Sequence, residues 1–363
     1  MKKFFSIVLV LACLLALSAC GGDSPTPPAA SEQTAAAPET AAPADSGTAI
    51  TLTGSGAEIA GGGARVQGST VTISAVGTYT LSGKLDEGQV IVDTGDDAMD
   101  VTLILDGASI TNSTGPAIQI LQARNLRLQL RGENRLQSGA RTDMASFDGT
   151  ASGAALFSED DLDIEGEGSL EVLGYLNNGI TCKDDLDINS GVITVTAANN
   201  GIRGSESVEI KGGTVTVASG NDGVKASSAK KEGKGYVDVK GGTLNIVSEG
   251  DGISAASDLI LSGGSVVIVA DKQALQAAGA LRLGTCELQA LSDSRNQAEP
   301  ADSAVPYLFC SITGGDGDTL SFGDVSFVAD GDYKTILYAS AALKAGDTLE
   351  VSNGRSSVTA VVK

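Results

Sequence analysis

Residues 177–226 read NNGITCKDDLDINSGVITVTAANNGIRGSESVEIKGGTVTVASGNDGVKA, and this stretch decides the fold. Asn178-Gly179-Ile180 returns as Asn200-Gly201-Ile202 and again as Asp222-Gly223-Val224. Followed outward, the apolar third member stands at Ile180, Ile202, Val224, Ile253 and Leu275, spaced 22, 22, 29 and 22 residues apart. The long interval holds an insertion around 228–235. Two further apolar columns keep the same beat: Leu186, Val208, Val237, Leu259, Leu281 and Ile193, Val215, Leu244, Val266, Leu288. Turns at Ser190-Gly191, Gly212-Gly213, Gly241-Gly242 and Gly263-Gly264 separate those two columns. Alternation such as Val215-Thr216-Val217 turns one side of each strand inward and the other toward water. Helical periodicity is absent. A period of 22 residues without a helix is a β-solenoid signature. A propeller blade needs about 40 residues, and a leucine-rich repeat needs its Leu/Asn pattern and a helical arc. The expectation is therefore an all-β chain, a right-handed parallel β-helix with one coil per 22-residue period. Its coils stack at ~4.8 Å, each burying its apolar face on its neighbours.

The β-helix is assigned to 101–291, with Val101–Leu105 and Leu126–Leu130 as earlier, less regular coils. Residues 49–100 are read as a β-rich N-terminal cap with the first coils. Residues 292–363 are read as C-terminal β-rich coils or a small cap, because an exposed last coil is an unpaired sheet edge. Ahead of these, residues 1–20 read MKKFFSIVLVLACLLALSAC: Lys2 and Lys3, an apolar run too short to span a bilayer, then Leu17-Ser18-Ala19-Cys20. The ending resembles a bacterial lipobox. It implies a signal peptide over 1–19, acylation (palmitate) of Cys20 and a protein held at the cell membrane on the extracytoplasmic face. An ordinary secretory signal cleaved nearby is the alternative. Residues 20–48 are rich in Ala, Pro, Ser and Thr and lack large apolar side chains; after Cys20 they read as a disordered linker.

The 363 residues carry 45 Asp+Glu against 24 Lys+Arg, a net charge of −21. Removing Lys2 and Lys3 takes it from −21 to −23. Such a charge excludes nucleic acid as a partner, since that needs a basic footprint. There is no His and no Trp. Triads built on His and His-ligated zinc are excluded, and the best stacking surface for neutral sugars is missing. Cys182, Cys286 and Cys310 allow at most one disulfide and read as small buried residues. The protein is expected to be a monomer.

Ala155–Ile164 (ALFSEDDLDI), Asn177–Leu186 (NNGITCKDDL), Asn199–Gly204 (NNGIRG) and Lys234–Gly242 (KGYVDVKGG) together form a recognisable pattern. With Ile104–Ile120 and the tail Tyr333–Gly354, it resembles a family of bacterial lipoproteins known as carbohydrate-binding domain proteins, over roughly 100–355. The resemblance implies a right-handed parallel β-helix similar to pectate lyases, with calcium sites and binding of acidic plant-wall polysaccharide. Family members commonly carry Asp-Asp-Gly-Ile where this chain has Asn199-Asn200-Gly201-Ile202. Asn keeps a carbonyl oxygen but no charge, so a calcium site at that turn is expected to be weaker or absent.

The column Asn178, Asn200, Asp222, Asp251 has two readings. It offers oxygens to calcium, with Asn199, Asp184 and Asp185 as further candidates. It also reads as a ladder of Asx turns, each side chain bonding its own backbone and each following Gly supplying a left-handed residue. The ladder is preferred for the column as a whole, with Asp222 and Asp251 the stronger candidates for metal. Outward acids stack at Asp163, Asp187, Glu209 and Asp238, with Lys211 and Lys240 placed to neutralise them. Arg203 and Lys225 share a column one coil apart, and the insertion adds Lys230, Lys231 and Lys234. This densest basic cluster, flanked by Tyr175 and Tyr236, is the expected ligand site, with a solvated lysine loop as the alternative.

Three functions are open at this point. The leading one is a non-catalytic, surface-tethered binder of acidic polysaccharide (polygalacturonate-like), assisted by calcium. A calcium-dependent lyase would need Lys225 or Lys183 as base beside Arg203, for want of His. A structural adhesin or spacer is the third.

Overall fold

The computed structural model describes residues 47–95, 100–141, 153–228 and 230–363. The expected signal peptide, Cys20 and the expected linker up to residue 46 lie outside the described residues. Residues 47–363 form one compact unit. The chain is all-β, with thirty-five strands among the described residues.

The three apolar columns fall on three faces. On the first face, Asn178–Cys182, Ile202–Gly204, Val224–Ala226, Ile253–Ala255 and Leu275–Ala277 pair in parallel, Ile180 to Ile202 to Val224 to Ile253 to Leu275. They belong to a ten-stranded sheet. On the second, Asp185–Ile188, Ser207–Ile210, Tyr236–Val239, Leu259–Leu261 and Leu281–Leu283 pair likewise. On the third, Val192–Ala197, Thr214–Ser219, Thr243–Ser248, Ser265–Ala270 and Glu287–Ser292 do the same. The last two faces merge into one 21-stranded sheet. The long strand Asp100–Asn112 joins them, pairing with both Asn125–Arg131 and Glu133–Ser138.

Register follows from burial. The columns Ile180 to Leu275, Leu186 to Leu281 and Ile193 to Leu288 are all at most 4% exposed, and a one-residue slip would turn each of them to water. Each such side chain contributes about 1.5–3 kcal/mol when fully buried. One core cluster runs from Ile50 to Ala339. Cys182, Cys286 and Cys310 are free and buried.

The glycines of the turn column correct the expectation of left-handed turns. Gly179, Gly201, Gly223 and Gly252 do not have positive φ. A Cβ at Gly201 would lie 2.2 Å from Val217 Cγ1, and one at Gly223 2.4 Å from Ile246 Cγ2. Glycine is required here because the third-face side chains press against the first-face backbone across the core. Left-handed glycines occur instead at the corner between second and third faces, as at Gly213 (φ 80°) and Gly242 (φ 76°).

The large sheet is mixed. At its start Thr48–Gly54 pairs antiparallel with Ala57–Ala60 and parallel with Gly77–Leu85. At its end Tyr333–Ala339 runs antiparallel to Glu287–Ser292 and to Tyr307–Gly314. A separate four-stranded antiparallel sheet follows, of Thr319–Phe322, Val325–Val328, Thr348–Ser352 and Ser357–Val361. Its core includes Val269, Leu291, Leu308, Phe322 and Tyr333. The Phe322 ring meets Phe327 and Tyr338 edge-on, at 6.1 and 5.1 Å.

Candidate functional site

On the first face the outward positions are Thr181, Arg203, Lys225, Ser254 and Gln276, because the residues on either side of each turn into the core. Arg203 lies directly opposite Lys225 across a parallel ladder. Lys225 Nζ donates to Asp222 Oδ2 at 2.7 Å. Arg203 is half-buried and donates to Ser227 Oγ at 3.2 Å. Among the described residues it has no ion pair. Lys183 stands over the Phe157 ring, 5.9 Å from its centroid.

The turn column lies at the entry to this face. Asn178, Asn200 and Asp222 are buried and Asp251 is half-buried. Asn178 Oδ1 accepts both the backbone N–H (3.1 Å) and the side-chain amide (3.0 Å) of Asn200. Asn200 Oδ1 accepts from Asn221 Nδ2 at 3.2 Å. Asp222 Oδ1 accepts the Asp251 N–H at 3.0 Å, and Asp251 Oδ1 the Gln273 N–H at 3.0 Å. Asn199 Nδ2 donates to Asn177 Oδ1 at 2.8 Å in a parallel column. The expected Asx turns are thus corrected in detail. The side chains bond the next coil rather than their own backbone, because stacking brings the neighbouring amide within reach while it would otherwise be buried unpaired.

Calcium wants six to eight oxygens; in this column Asn178 Oδ1, Asn200 Oδ1, both Asp222 oxygens and Asp251 Oδ1 already accept from N–H or ammonium donors. Among the described residues no three acidic or cysteine side chains converge as a metal cluster. Asp184 is different: burial, then the like charges of Glu206 and Asp161, push its carboxyl above the usual range.

The basic cluster expected from sequence is divided by the fold. The insertion crosses the corner between first and second faces and reaches back over the preceding coils. Lys231 Nζ bonds Glu206 Oε1 at 2.6 Å, and Lys234 Nζ bonds Asp185 Oδ2 at 2.6 Å and Glu206 Oε2 at 3.2 Å. Asp185 also accepts from Ser207 Oγ at 2.6 Å. Burial raises the Asp185 carboxyl, but the bonds from Lys234 and Ser207 outweigh it and hold it below its usual range. Lys230 is exposed at the loop tip. Tyr175 lies at the corner before the first face and Tyr236 at the start of the second, so the two do not flank one site. Tyr236 donates to Glu209 Oε1 at 2.9 Å.

The outward acids of the second face stack as the spacing implies, Asp163 to Asp187 to Glu209 to Asp238. Lys211 bridges Asp187 and Glu209, and Lys240 bonds Glu209 at 2.7 Å. Two grooves lie away from all the site residues singled out by sequence. A groove of about 830 Å³ lies at the corner leading onto the third face, lined by Arg131, Glu165, Glu167, Ser169, Ser190 and Val192 among others. A second, of about 420 Å³, shares Ser169 and Val192 and reaches Thr194.

The model of a family described as carbohydrate-binding domain-containing protein matches residues 67–363. The chain belongs to this family. A relative of the same description from Acetivibrio thermocellus is 36% identical over 129 residues, which is 35% of this chain and 45% of the relative. The match therefore spans less than half of that relative's length. Among solved structures, a polysaccharide lyase-like protein from C. thermocellum, determined as a gadolinium derivative, superposes with a TM-score of 0.61 at 31% identity. The match covers 65% of this chain and 96% of that one. Family and neighbour together fit a polysaccharide-binding role.

Proposed function

We propose that this chain is a non-catalytic, lipid-tethered, monomeric binder of acidic polysaccharide, built as a right-handed parallel β-helix of pectate-lyase-like type. The in-register parallel ladders support the helix, and the family supports a polysaccharide ligand. The lipobox ending at Cys20 supports the tether, with the Ala/Pro-rich linker supplying reach. The acidic ligand is carried by one observation: Arg203 presents a guanidinium on the first face with, among the described residues, only Ser227 as side-chain partner. A guanidinium grips a carboxylate with two parallel hydrogen bonds. Lys225 stands beside it, though held by Asp222. Calcium enters this proposal as an ion carried in with the uronates and met by Asp184.

The test is affinity electrophoresis of the full chain through polygalacturonate gels, with and without calcium. Retardation is expected, weakened about tenfold in affinity by Arg203→Ala, or ~1.4 kcal/mol. Equal mobility with and without any polysaccharide would sink the reading in favour of a spacer. The lyase-like neighbour makes a lyase the second reading. Release of unsaturated uronates, abolished by Lys225→Ala, would replace binding with catalysis.

A further inference from the structure

Several outer strands of the sheets are guarded against a further strand. Ala57–Ala60 and Ala64–Gln67 pair on one side only, and each carries an exposed charge within it, Glu58 and Arg65. The last strand of the first face, Leu275–Ala277, is met by a side chain instead. The Gln297 amide donates to the Leu275 carbonyl at 2.9 Å, and its oxygen accepts the Leu275 N–H at 3.0 Å. At one edge of the C-terminal sheet, Lys363 exchanges backbone hydrogen bonds with Tyr307, at 2.9 and 3.0 Å. A charge within the strand and a covered backbone are ordinary guards of a sheet edge.

The opposite edge of that sheet, Val325–Val328, has neither. It pairs with Thr319–Phe322 alone, through a tight turn at Gly323-Asp324 with Gly323 at φ 54°. Val325-Ser326-Phe327-Val328 holds no charge and no proline. The Ala329 N–H bonds the Asp318 carbonyl at 2.8 Å. By alternation Val325 and Phe327 turn their backbone groups toward the same neighbour, and Ser326 and Val328 turn theirs away. Among the described residues, those outward backbone groups of Ser326 and Val328 bond nothing. The strand is held in shape by Phe327, whose ring stacks on Tyr338 at 6.4 Å and meets Phe322 edge-on. Ser326 is exposed, and Val328 is 61% exposed.

Charge identifies what fits there. Asp324 precedes the strand, and Asp330 and Asp332 follow it, all exposed. Two copies of this edge, paired antiparallel about Phe327, would set Asp324 of each opposite Asp330 of the other. Like charges directly opposite destabilise. A strand with Lys or Arg at each end turns that repulsion into attraction at both. We propose that Val325–Val328 is a docking edge for another protein, which adds to the C-terminal sheet an extended segment with an uncharged, β-branched centre and a basic residue at each end. The main chain supplies the bonds, and the flanking acids select the partner. This docking edge does not rest on polysaccharide binding.

The test is fluorescence anisotropy of the labelled peptide KTVTVK, titrated with the full chain. Its controls are KPPPPK, of equal charge without the central N–H groups, and ETVTVE, of opposite charge. Saturable binding of KTVTVK is expected, about tenfold tighter than that of either control. Ser326→Pro removes an outward N–H that the ladder does not use. With an unchanged circular dichroism spectrum, it is expected to weaken binding about tenfold. Asp324→Lys lies in the turn, and is expected to weaken KTVTVK and strengthen ETVTVE; it decides alone if the proline variant fails to fold. Equal binding of KPPPPK would reveal attraction to net charge only and overturn the edge. So would KTVTVK binding that survives both variants, or no KTVTVK binding at all. A dimer in sedimentation velocity that Ser326→Pro dissolves would give the edge to a second copy and overturn the basic partner. Retardation in polygalacturonate gels is untouched by any of these outcomes, so the two readings fail separately.

Discussion

Glu209 on the second face and Thr216 on the third belong to the same coil, one strand apart. Glu209 accepts from Lys240, Lys211 and Tyr236. Among the described residues, the Thr216 hydroxyl makes no hydrogen bond within the chain. The difference teaches how one repeat serves two ends. Where acids stack in register, like charges about one strand spacing apart would repel, so Lys211, Lys240 and the inserted Lys231 and Lys234 are drawn into ion pairs. Where threonines stack, there is no repulsion to relieve, and the side chains remain available. On this coil the charge of Glu209 is paired within the fold, while the Thr216 side chain is left to solvent.

The sharpest way to break this comparison is to force the faces apart. Gly201→Ala places a methyl 2.2 Å from Val217 Cγ1 and 2.7 Å from the Gly223 carbonyl oxygen. Overpacking of this kind is expected to cost ~3 kcal/mol, read as a lower midpoint in urea unfolding. An unchanged midpoint would show that the two faces do not press on each other there. Glu209→Gln probes the paired side at a smaller scale. Burial raises this carboxyl, yet Lys240, Tyr236 and Lys211 together hold it below its usual range. An acid lowered in the folded state stabilises above its unfolded pKa of ~4.3 and loses that effect as pH falls through the folded value. The variant is therefore expected to cost about 1 kcal/mol at pH 7. The gap between the two melting curves should close as pH is brought below ~4. A pH-independent gap would mean that shape rather than charge matters at Glu209. The smallest effect is expected at Thr216→Val, within about 0.5 kcal/mol of the parent. A larger loss in thermal melts would give that hydroxyl a role in the fold and erase the contrast with Glu209.

The three apolar columns were legible because a period of 22 residues fixes both pairing partner and register. The same arithmetic put Arg203 opposite Lys225 and stacked the acids of the second face. The destination of Lys231 and Lys234 was not legible: a cluster in sequence is not a cluster in space when a loop crosses a corner. The glycines of the turn column were visible, but their reason was not, since φ and the nearness of Val217 or Ile246 belong to the packed state.

Tyr333–Ala339 lies antiparallel across the last parallel strand of the third face. A stack in which every coil repeats the polarity of the one before has no intrinsic length, and a neighbouring molecule could in principle extend it as a fibre. A strand of reversed direction presents its hydrogen-bonding groups in the wrong order for another such coil. The stack is thereby given a last rung, and its length becomes a property encoded in one polypeptide rather than in the concentration of many.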